Sequence, residues 1–185
     1  MRHQPGTGSF LIANPALVDP NFSRTVVLLC EHDEQGSMGL VINRPGELSL
    51  HEALTDLGPS ATQPLLWGGP VQRDIVLVLH RDAPEISGAR PVGDGMSLGG
   101  DQEELLELLR GPESVETRVR VFSGYAGWGE GQLEAELRAR GWIVCPARAR
   151  FVFEVEPAAI WAEVLRSLGP RYAHLAAMPS DPRVN

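Results

Sequence analysis

The sequence predicts an α+β fold with a mixed, largely antiparallel sheet, and three observations point to it. Continuous apolar runs come first and are joined by short turns, as in antiparallel hairpins. Apolar residues at helical spacing come later, where helices and strands alternate. The 185 residues, 43% of them hydrophobic, suffice for one core without disulfides or a structural metal. We therefore expect a single domain over residues 8–185, preceded by a disordered leader over residues 1–7.

The first half of the chain is predicted to form mainly strands. Residues 9–13 and 25–31 are apolar runs, and residues 38–43 follow after a polar turn that contains a glycine. Pro45 has no amide hydrogen to donate, so we expect it to end the third strand. Two further strands are expected over residues 65–68 and 75–80.

Helices are predicted where a capping residue precedes an apolar face of helical period. Ser49 and Glu52 fit a capping box at the start of a short helix. Residues 100–110 contain both a cap and a leucine-rich face. Pro157 suits the first turn of a helix that ends near Leu168. The remaining expectations are a loop over residues 81–95, strands over residues 142–146 and 151–155, and a weakly specified tail after Gly169.

Residues 119–134 are the most distinctive stretch of the sequence. They join a β-branched and aromatic run to a helix that begins near Gly131. Glycines alternate there with Tyr125 and Trp128, which predicts a glycine loop between strand and helix. The glycine spacing is one residue short of a dinucleotide fingerprint, and Glu130 places negative charge where a phosphate would bind. A phosphate site is therefore disfavoured.

Two residues are candidates for enzymatic chemistry. Ser97 lies in a Gly-x-Ser-x-Gly pattern over residues 95–99, but the residues before it are typical of a turn, not of the strand that a nucleophile elbow requires. Cys145 ends a predicted strand, where a thiol could be accessible, and no neighbouring histidine would lower its pKa. Thiol-based or hydrolytic activity at these two residues is the alternative to a non-enzymatic function.

Charge and composition restrict the partners. The chain has 24 acidic and 16 basic residues and a net charge of −8, which disfavours nucleic-acid binding by bulk electrostatics. Every basic residue is arginine, so neither a Schiff-base nor a P-loop lysine is present. The histidines lack metal-binding spacing, and no apolar run has the length of a membrane span. We expect a cytoplasmic protein with no metal, no cofactor and no membrane contact.

Five phrases spread over almost the whole chain form a distinctive set. They are Phe-Leu-Ile-Ala-Asn-Pro (10–15), Asp-Pro-Asn-Phe-Ser-Arg-Thr-Val (19–26), Glu-His-Asp-Glu-Gln-Gly-Ser-Met-Gly-Leu-Val-Ile-Asn-Arg-Pro (31–45), Gly-Gly-Pro-Val (68–71) and Gly-Tyr-Ala-Gly-Trp-Gly-Glu-Gly-Gln-Leu-Glu-Ala-Glu (124–136). Together they resemble the YqgE/AlgH family of small bacterial proteins. The resemblance implies a bifurcated or barrel-like sheet surrounded by helices, and no established catalytic activity. Some members are described as candidate transcriptional regulators, notably of alginate synthesis.

The resemblance supplies polar positions but no accepted active-site residues. We expect a ligand or partner surface where the Asn43-Arg44-Pro45 corner meets the glycine loop. Its candidate residues are Arg24, Asn43, Arg44, Tyr125, Trp128 and Gln132. The arginines could instead pair with Asp19 or Glu31, and the polar residues could simply satisfy buried backbone groups. The expected partner is a protein or small ligand and not DNA, and the oligomeric state is left open.

Overall fold

The computed structural model describes residues 3–17, 19–59, 61–81, 85–111 and 118–178, and within them it confirms the α+β class in one domain. The strands are β1 Ser9–Ala13, β2 Val26–Asp33, β3 Gly36–Val41, β4 Pro45–Ser49, β5 Pro64–Trp67, β6 Val71–Arg81, β7 Arg90–Gly93, β8 Met96–Leu98, β9 Val119–Gly129 and β10 Trp142–Pro146. The helices are α1 Leu50–Ala53, α2 Gln102–Arg110, α3 Gln132–Arg138, α4 Ala149–Phe153, α5 Pro157–Ser167 and α6 Pro170–Ala176, with a 3-10 turn over Thr55–Leu57. None of these helices combines the length and the hydropathy needed to cross a membrane.

The strands form one curled, branched sheet. Its main order is β10-β1-β2-β3-β9-β6-β8-β7, with antiparallel neighbours throughout. Strand β5 branches off, antiparallel to β4 and parallel to β9. Strand β9 therefore pairs with three strands: β6 and β5 along its first half and β3 along its second. The branch at β9 is the bifurcation that the resemblance implied.

The predicted glycine loop is wrong, because β9 continues through it as far as Gly129. The glycines are needed where the β5–β6 connection crosses β9. Gly124 has φ +68°, and a Cβ there would lie 2.7 Å from the carbonyl oxygen of Gly69. A Cβ on Gly69, at φ +155°, would lie 2.0 Å from the carbonyl carbon of Tyr125. The turn into α3 is confined to Glu130 and Gly131.

Three other expectations are corrected. Strand β3 ends at Val41, and Pro45 begins β4 instead of ending β3. Within the predicted loop at residues 81–95, Arg81 ends β6 and Arg90–Gly93 form β7, while residues 82–84 lie outside the described part of the chain. Residues 151–155 do not form the predicted strand. Residues Ala149–Phe153 form α4, and every apolar side chain of this helix is buried. A short apolar run of this kind fits a buried helix as well as a buried strand.

The core consists of three buried clusters on the two faces of the sheet. The largest packs α4, α5 and α6 against the face that carries Phe10 and Phe122. The second includes residues of α1 and α2 and the first half of β9. The third lies on the opposite face, where α3 covers Leu11, Trp128 and Trp142. Side chains alternate along β1 and β9, so neighbouring residues of one strand enter different clusters.

Candidate functional site

A tight turn over residues 19–24 forms the base of the predicted surface. The Asp19 carbonyl accepts hydrogen bonds from the amides of Phe22 (3.0 Å) and Ser23 (2.8 Å). The Asp19 carboxylate accepts a third from the Asn21 amide at 2.8 Å. Arg24 follows with φ +54°, a left-handed conformation that a non-glycine residue keeps only where its surroundings fix it.

Asn43 ties this turn to the sheet. Its side-chain oxygen accepts from the Val26 amide at 2.8 Å, and its side-chain nitrogen donates to the Arg24 carbonyl at 2.9 Å. The side chain thus extends the β2–β3 pairing beyond the last residue of β3. We infer that it helps to hold the strained Arg24 backbone.

Arg44 lies over the same turn. Its Nη2 donates to the carbonyls of Pro20 (3.0 Å) and Ser23 (3.1 Å), and its Cζ lies 5.2 Å from the ring centre of Trp67. Partial burial lowers the pKa of the Arg44 guanidinium, and the charge of Asp19 opposes that shift. Its Nε and Nη1 form no hydrogen bond to any residue that the structure describes.

Arg24 is held in a similar way on the other side of the turn. Its Nη2 donates to the Met178 carbonyl, and its Cζ lies 4.6 Å from the ring centre of Trp161. Within the described ranges, neither arginine forms an ion pair with Asp19 or Glu31, and Glu31 pairs with Arg90 instead. Backbone carbonyls and tryptophan rings, not carboxylates, fix both guanidinium groups.

An aromatic cluster connects the turn to β9. The Phe22 ring stacks on Trp128 at 6.0 Å between ring centres and meets Trp142 edge-on at 5.5 Å. Trp128 and Trp142 are themselves in edge-on contact at 6.0 Å. Both tryptophans are 5% exposed, so Trp128 supports the surface from below instead of forming it.

Glu136 completes this cluster, and sequence reasoning missed it. Its Oε2 accepts from the indole nitrogens of Trp128 (3.0 Å) and Trp142 (2.7 Å), and its Oε1 accepts from Gln132 Nε2 at 3.0 Å. Gln132 also accepts from the Gly129 amide at 3.1 Å, which links α3 to the end of β9. The four-residue spacing of Gln132 and Glu136 on one helix was the available signal.

The structure links five of the six predicted residues to the turn over residues 19–24, directly or through Phe22 and Glu136, and leaves Tyr125 apart. Trp128 belongs to the cluster under α3, whereas Tyr125 packs against the cluster on the opposite face of the sheet. We call the region formed by residues 19–24 with Asn43, Arg44 and Gln132 the corner. Arg44 and Gln132 supply its accessible surface, and Asn43 and Trp128 support it. The Arg24 guanidinium lies over Trp161, which belongs to the cluster on the opposite face of the sheet.

The two enzymatic candidates lie far apart in the topology and have different surroundings. Cys145 is 6% exposed, and burial raises the pKa of its thiol to about 11 although Arg148 opposes the shift. Ser97 occupies the middle of β8, between β6 and β7, so it is not on a strand-to-helix elbow. His80 is its cross-strand neighbour, and His80 Nε2 donates to the Gly99 carbonyl at 3.0 Å.

The acidic tip of the β2–β3 hairpin satisfies its own polar groups. His32 Nδ1 lies 2.8 Å from Ser37 Oγ, and the Asp33 carboxylate accepts from the amides of Gln35 (2.8 Å) and Gly36 (3.2 Å). Across the described part of the chain, no three His, Cys, Asp or Glu side chains are grouped to hold a metal ion.

Together these features define a class: a small α+β protein with a branched sheet and a braced arginine–tryptophan corner. The family described as AlgH-like matches residues 10–173. UPF0301 protein CT0663 of Chlorobaculum tepidum is 42% identical over 178 residues, 96% of this chain and 95% of that protein. UPF0301 protein Tgr7_2910 of Thioalkalivibrio sulfidiphilus is 40% identical over 170 residues, 88% and 89% of the two chains. The chain therefore belongs to the AlgH-like family.

Two solved structures share the fold. The solution structure of the AlgH protein from Pseudomonas aeruginosa matches with a TM-score of 0.72 at 37% identity, over 97% of this chain and 98% of that one. The crystal structure of protein DIP2367 from Corynebacterium diphtheriae matches with a TM-score of 0.80 over 96% and 95% of the chains. Its 24% identity supports a common fold and nothing finer.

Proposed function

We propose that this chain is a non-enzymatic binding protein that exerts a regulatory effect through a protein or small-ligand partner at the corner. One observation carries the proposal: the Arg44 guanidinium is fixed through Nη2 and Trp67, while Nε and Nη1 have no hydrogen-bond partner among the described residues. A cation held in this way loses little side-chain entropy when a partner binds.

The proposal accounts for the arrangement around Arg44. Gln132 adds an exposed amide group to the corner, and the Phe22–Trp128–Trp142 cluster makes its base rigid. Arginines over aromatic rings are enriched among the residues that dominate binding energies at interfaces. Within this proposal the partner carries acceptor groups, such as carboxylates or backbone carbonyls, opposite Arg44.

Thiol-based or hydrolytic activity has less support. A buried thiol whose pKa is raised to about 11 contains very little thiolate at neutral pH. Ser97 Oγ forms no hydrogen bond to His80, the nearest candidate base across the strand pair. The net charge of −8 argues against direct DNA contact, so we propose that any influence on transcription passes through the bound partner.

The test is quantitative affinity capture from the native cell, comparing wild-type protein with Arg44→Ala and Gln132→Ala. The matched control is Arg166→Ala, because Arg166 is exposed on α5 and its one ion pair within the described residues is with Glu163, at 3.3 Å. We expect captured partner to fall about tenfold for Arg44→Ala and less for Gln132→Ala, with no change in the control.

Circular dichroism of each variant must first show a folded protein. Trp128→Ala is unsuitable here, because Trp128 is buried and its loss would disturb the fold as well as the surface. Unchanged capture by folded Arg44→Ala and Gln132→Ala would remove the corner as the contact surface. Turnover of a substrate by wild-type protein, abolished by Cys145→Ala or Ser97→Ala, would overturn the non-enzymatic function.

A further inference from the structure

Strand β10 forms an edge of the sheet, and a groove of about 900 Å³ lies along it. Helix α6 and the end of α5 line one wall of the groove, and the end of α3 lines the other. Residues 3–5 and Asn14 lie at its ends. The groove shares only Trp142 with the aromatic cluster that supports the corner, so it is a separate surface.

The backbone of β10 presents unpaired groups to this groove. Ile143 and Cys145 pair with β1, opposite Ile12 and Phe10. Two flanking hydrogen bonds show which backbone groups of β10 point towards β1. The Asn14 amide donates to the Gly141 carbonyl, and the Ala147 amide donates to the Gly8 carbonyl. By the alternation of an antiparallel ladder, the amides and carbonyls of Trp142 and Val144 point the other way. No described residue provides a hydrogen-bond partner for them.

Two arginines give the groove a local positive charge on a protein that is negative overall. Arg140, Arg171, His174 and His3 line it, all are exposed, and no described lining residue is acidic. Neither arginine forms an ion pair with a carboxylate in the described ranges. With a net charge of −8 on the whole chain, the two arginines form a local site that favours an acidic partner.

The walls of the groove also offer apolar contacts. On one side the half-buried side chains are Ile143, Tyr172 and Leu175, which pack at the edge of the largest core cluster. On the other side they are Val144 and Leu137, which pack at the edge of the cluster under α3. An added strand would point alternate side chains towards these two walls.

We propose that β10 receives an extended acidic segment of a partner protein, which pairs with the backbone of Trp142 and Val144 as an additional strand. Charge complementarity selects this occupant, because two copies of this chain would bring two cationic edges together. The proposal does not depend on the corner. It states the chemistry of a second partner site: backbone pairing for affinity and acidic side chains opposite Arg140 and Arg171 for selectivity.

The test titrates full-length protein into a fluorescein-labelled peptide of about eight residues, in which pairs of glutamates alternate with pairs of valines so that each wall meets both kinds of side chain, and follows fluorescence anisotropy. We expect saturable binding, weakened about tenfold by Arg171→Glu and by Arg140→Glu. Arg166→Glu is the matched control, since it makes the same change in net charge outside the groove and should leave the affinity unchanged. A peptide with alternate backbone amides methylated should not bind, because it lacks the required donors.

Hydrogen exchange of the same complex locates the peptide. Protection of the Trp142 and Val144 amides on binding supports strand addition. The proposal is overturned by absence of saturation at about 1 mM peptide, by equal binding of a lysine–valine peptide, or by equal weakening in Arg166→Glu. A protein that already pairs two copies through β10, seen as a dimer in sedimentation with both amides protected before peptide is added, overturns it as well. Failure here leaves the corner untouched, because the capture experiment uses different residues.

Discussion

The corner and the groove both present arginines, but they hold the guanidinium groups in different ways. At the corner, Arg44 donates to the carbonyls of Pro20 and Ser23 and lies over Trp67. In the groove, the guanidinium groups of Arg140 and Arg171 form neither an ion pair nor a hydrogen bond with a described residue, and Arg171 lies only loosely over the ring of its neighbour Tyr172, at 5.8 Å. Arg44 therefore stabilises the fold even without a partner, whereas a groove arginine contributes little to stability and is available for binding.

This difference shows how to separate stability from recognition in one molecule. A substitution at the corner changes the free energy of unfolding and any binding together. A substitution at the groove rim changes binding and leaves the free energy of unfolding almost constant. Exposed cations without partners contribute little to stability, since water already solvates them well.

The largest expected effect is at the base of the corner. Trp128→Ala should lower the free energy of unfolding by about 3–5 kcal/mol, because it empties a buried aromatic site and removes a donor from Glu136. Urea unfolding followed by far-ultraviolet circular dichroism measures the change. At the groove, Tyr172→Ala should cost less than about 2 kcal/mol, since Tyr172 is only half-buried. Equal losses of unfolding free energy in Trp128→Ala and Tyr172→Ala would contradict the proposed difference between corner and groove.

The second expected effect compares the arginines directly. Arg44→Ala should lower the free energy of unfolding by about 1–2 kcal/mol, because two carbonyls lose their donor and Trp67 is uncovered. Arg171→Ala should change it by less than about 0.5 kcal/mol. The same urea titrations test both variants, and a loss for Arg171→Ala as large as that for Arg44→Ala would show that the groove cation is also structural.

The third expected effect is the response of groove binding to salt. Raising sodium chloride from about 0.05 to about 0.5 M should weaken the acidic peptide by several-fold, since exposed charges are screened over a few ångströms at the higher concentration. Fluorescence anisotropy measures the affinity at each salt concentration. Salt-independent binding would mean that Arg140 and Arg171 do not select the peptide.

The smallest expected effect concerns Cys145, which lines the groove without serving as its reactive group. Burial raises the pKa of the Cys145 thiol from an ordinary 9.0 to about 11 and that of Cys30 to about 12. Since the folded values lie above the unfolded ones, the neutral thiols stabilise the fold fully below about pH 9, and this contribution is lost as the pH rises towards 11 and 12.

The chain has no lysine, so few other groups titrate in that range. Cys145→Ala should reduce the loss of stability between pH 8 and pH 10.5 by less than about 1 kcal/mol, because solvent still reaches part of the site. Urea unfolding at the two pH values provides the measurement. A larger loss in the variant than in the wild type would reverse the predicted sign.

The sequence predicted the starts of three helices, because capping residues and a proline in the first turn are specific signals for a helix N-terminus. The Ser49–Glu52 capping box is present at α1, with both of its backbone–side-chain bonds formed. Asp101 caps α2, and Pro157 opens α5. The glycines between residues 124 and 131 gave the wrong prediction of a loop, because glycine is needed at a close crossing of two backbones as well as in a turn. Only the crossing of the β5–β6 connection over β9 distinguishes the two.

The candidate surface was predictable only in part for a similar reason. Arg24, Asn43 and Arg44 stand next to turn residues, so their grouping followed from local sequence. The placement of Phe22 against Trp128 depends on sheet order, which pairs β3 with β9 across a long stretch of chain. The groove depends on β10 being an edge and on α6, a helix that begins at Pro170 where the sequence indicates only a weakly specified tail.

The most direct test of the difference between corner and groove is a backbone nuclear magnetic resonance titration of full-length protein with the glutamate–valine peptide. We predict saturable shifts at Trp142, Val144 and the residues of α6, with the amides of Asn21, Phe22 and Ser23 unmoved. Shifts centred on the Asn21–Ser23 amides, or no saturable shift along β10, would contradict the division between a corner fixed by the fold and a groove left free for a partner.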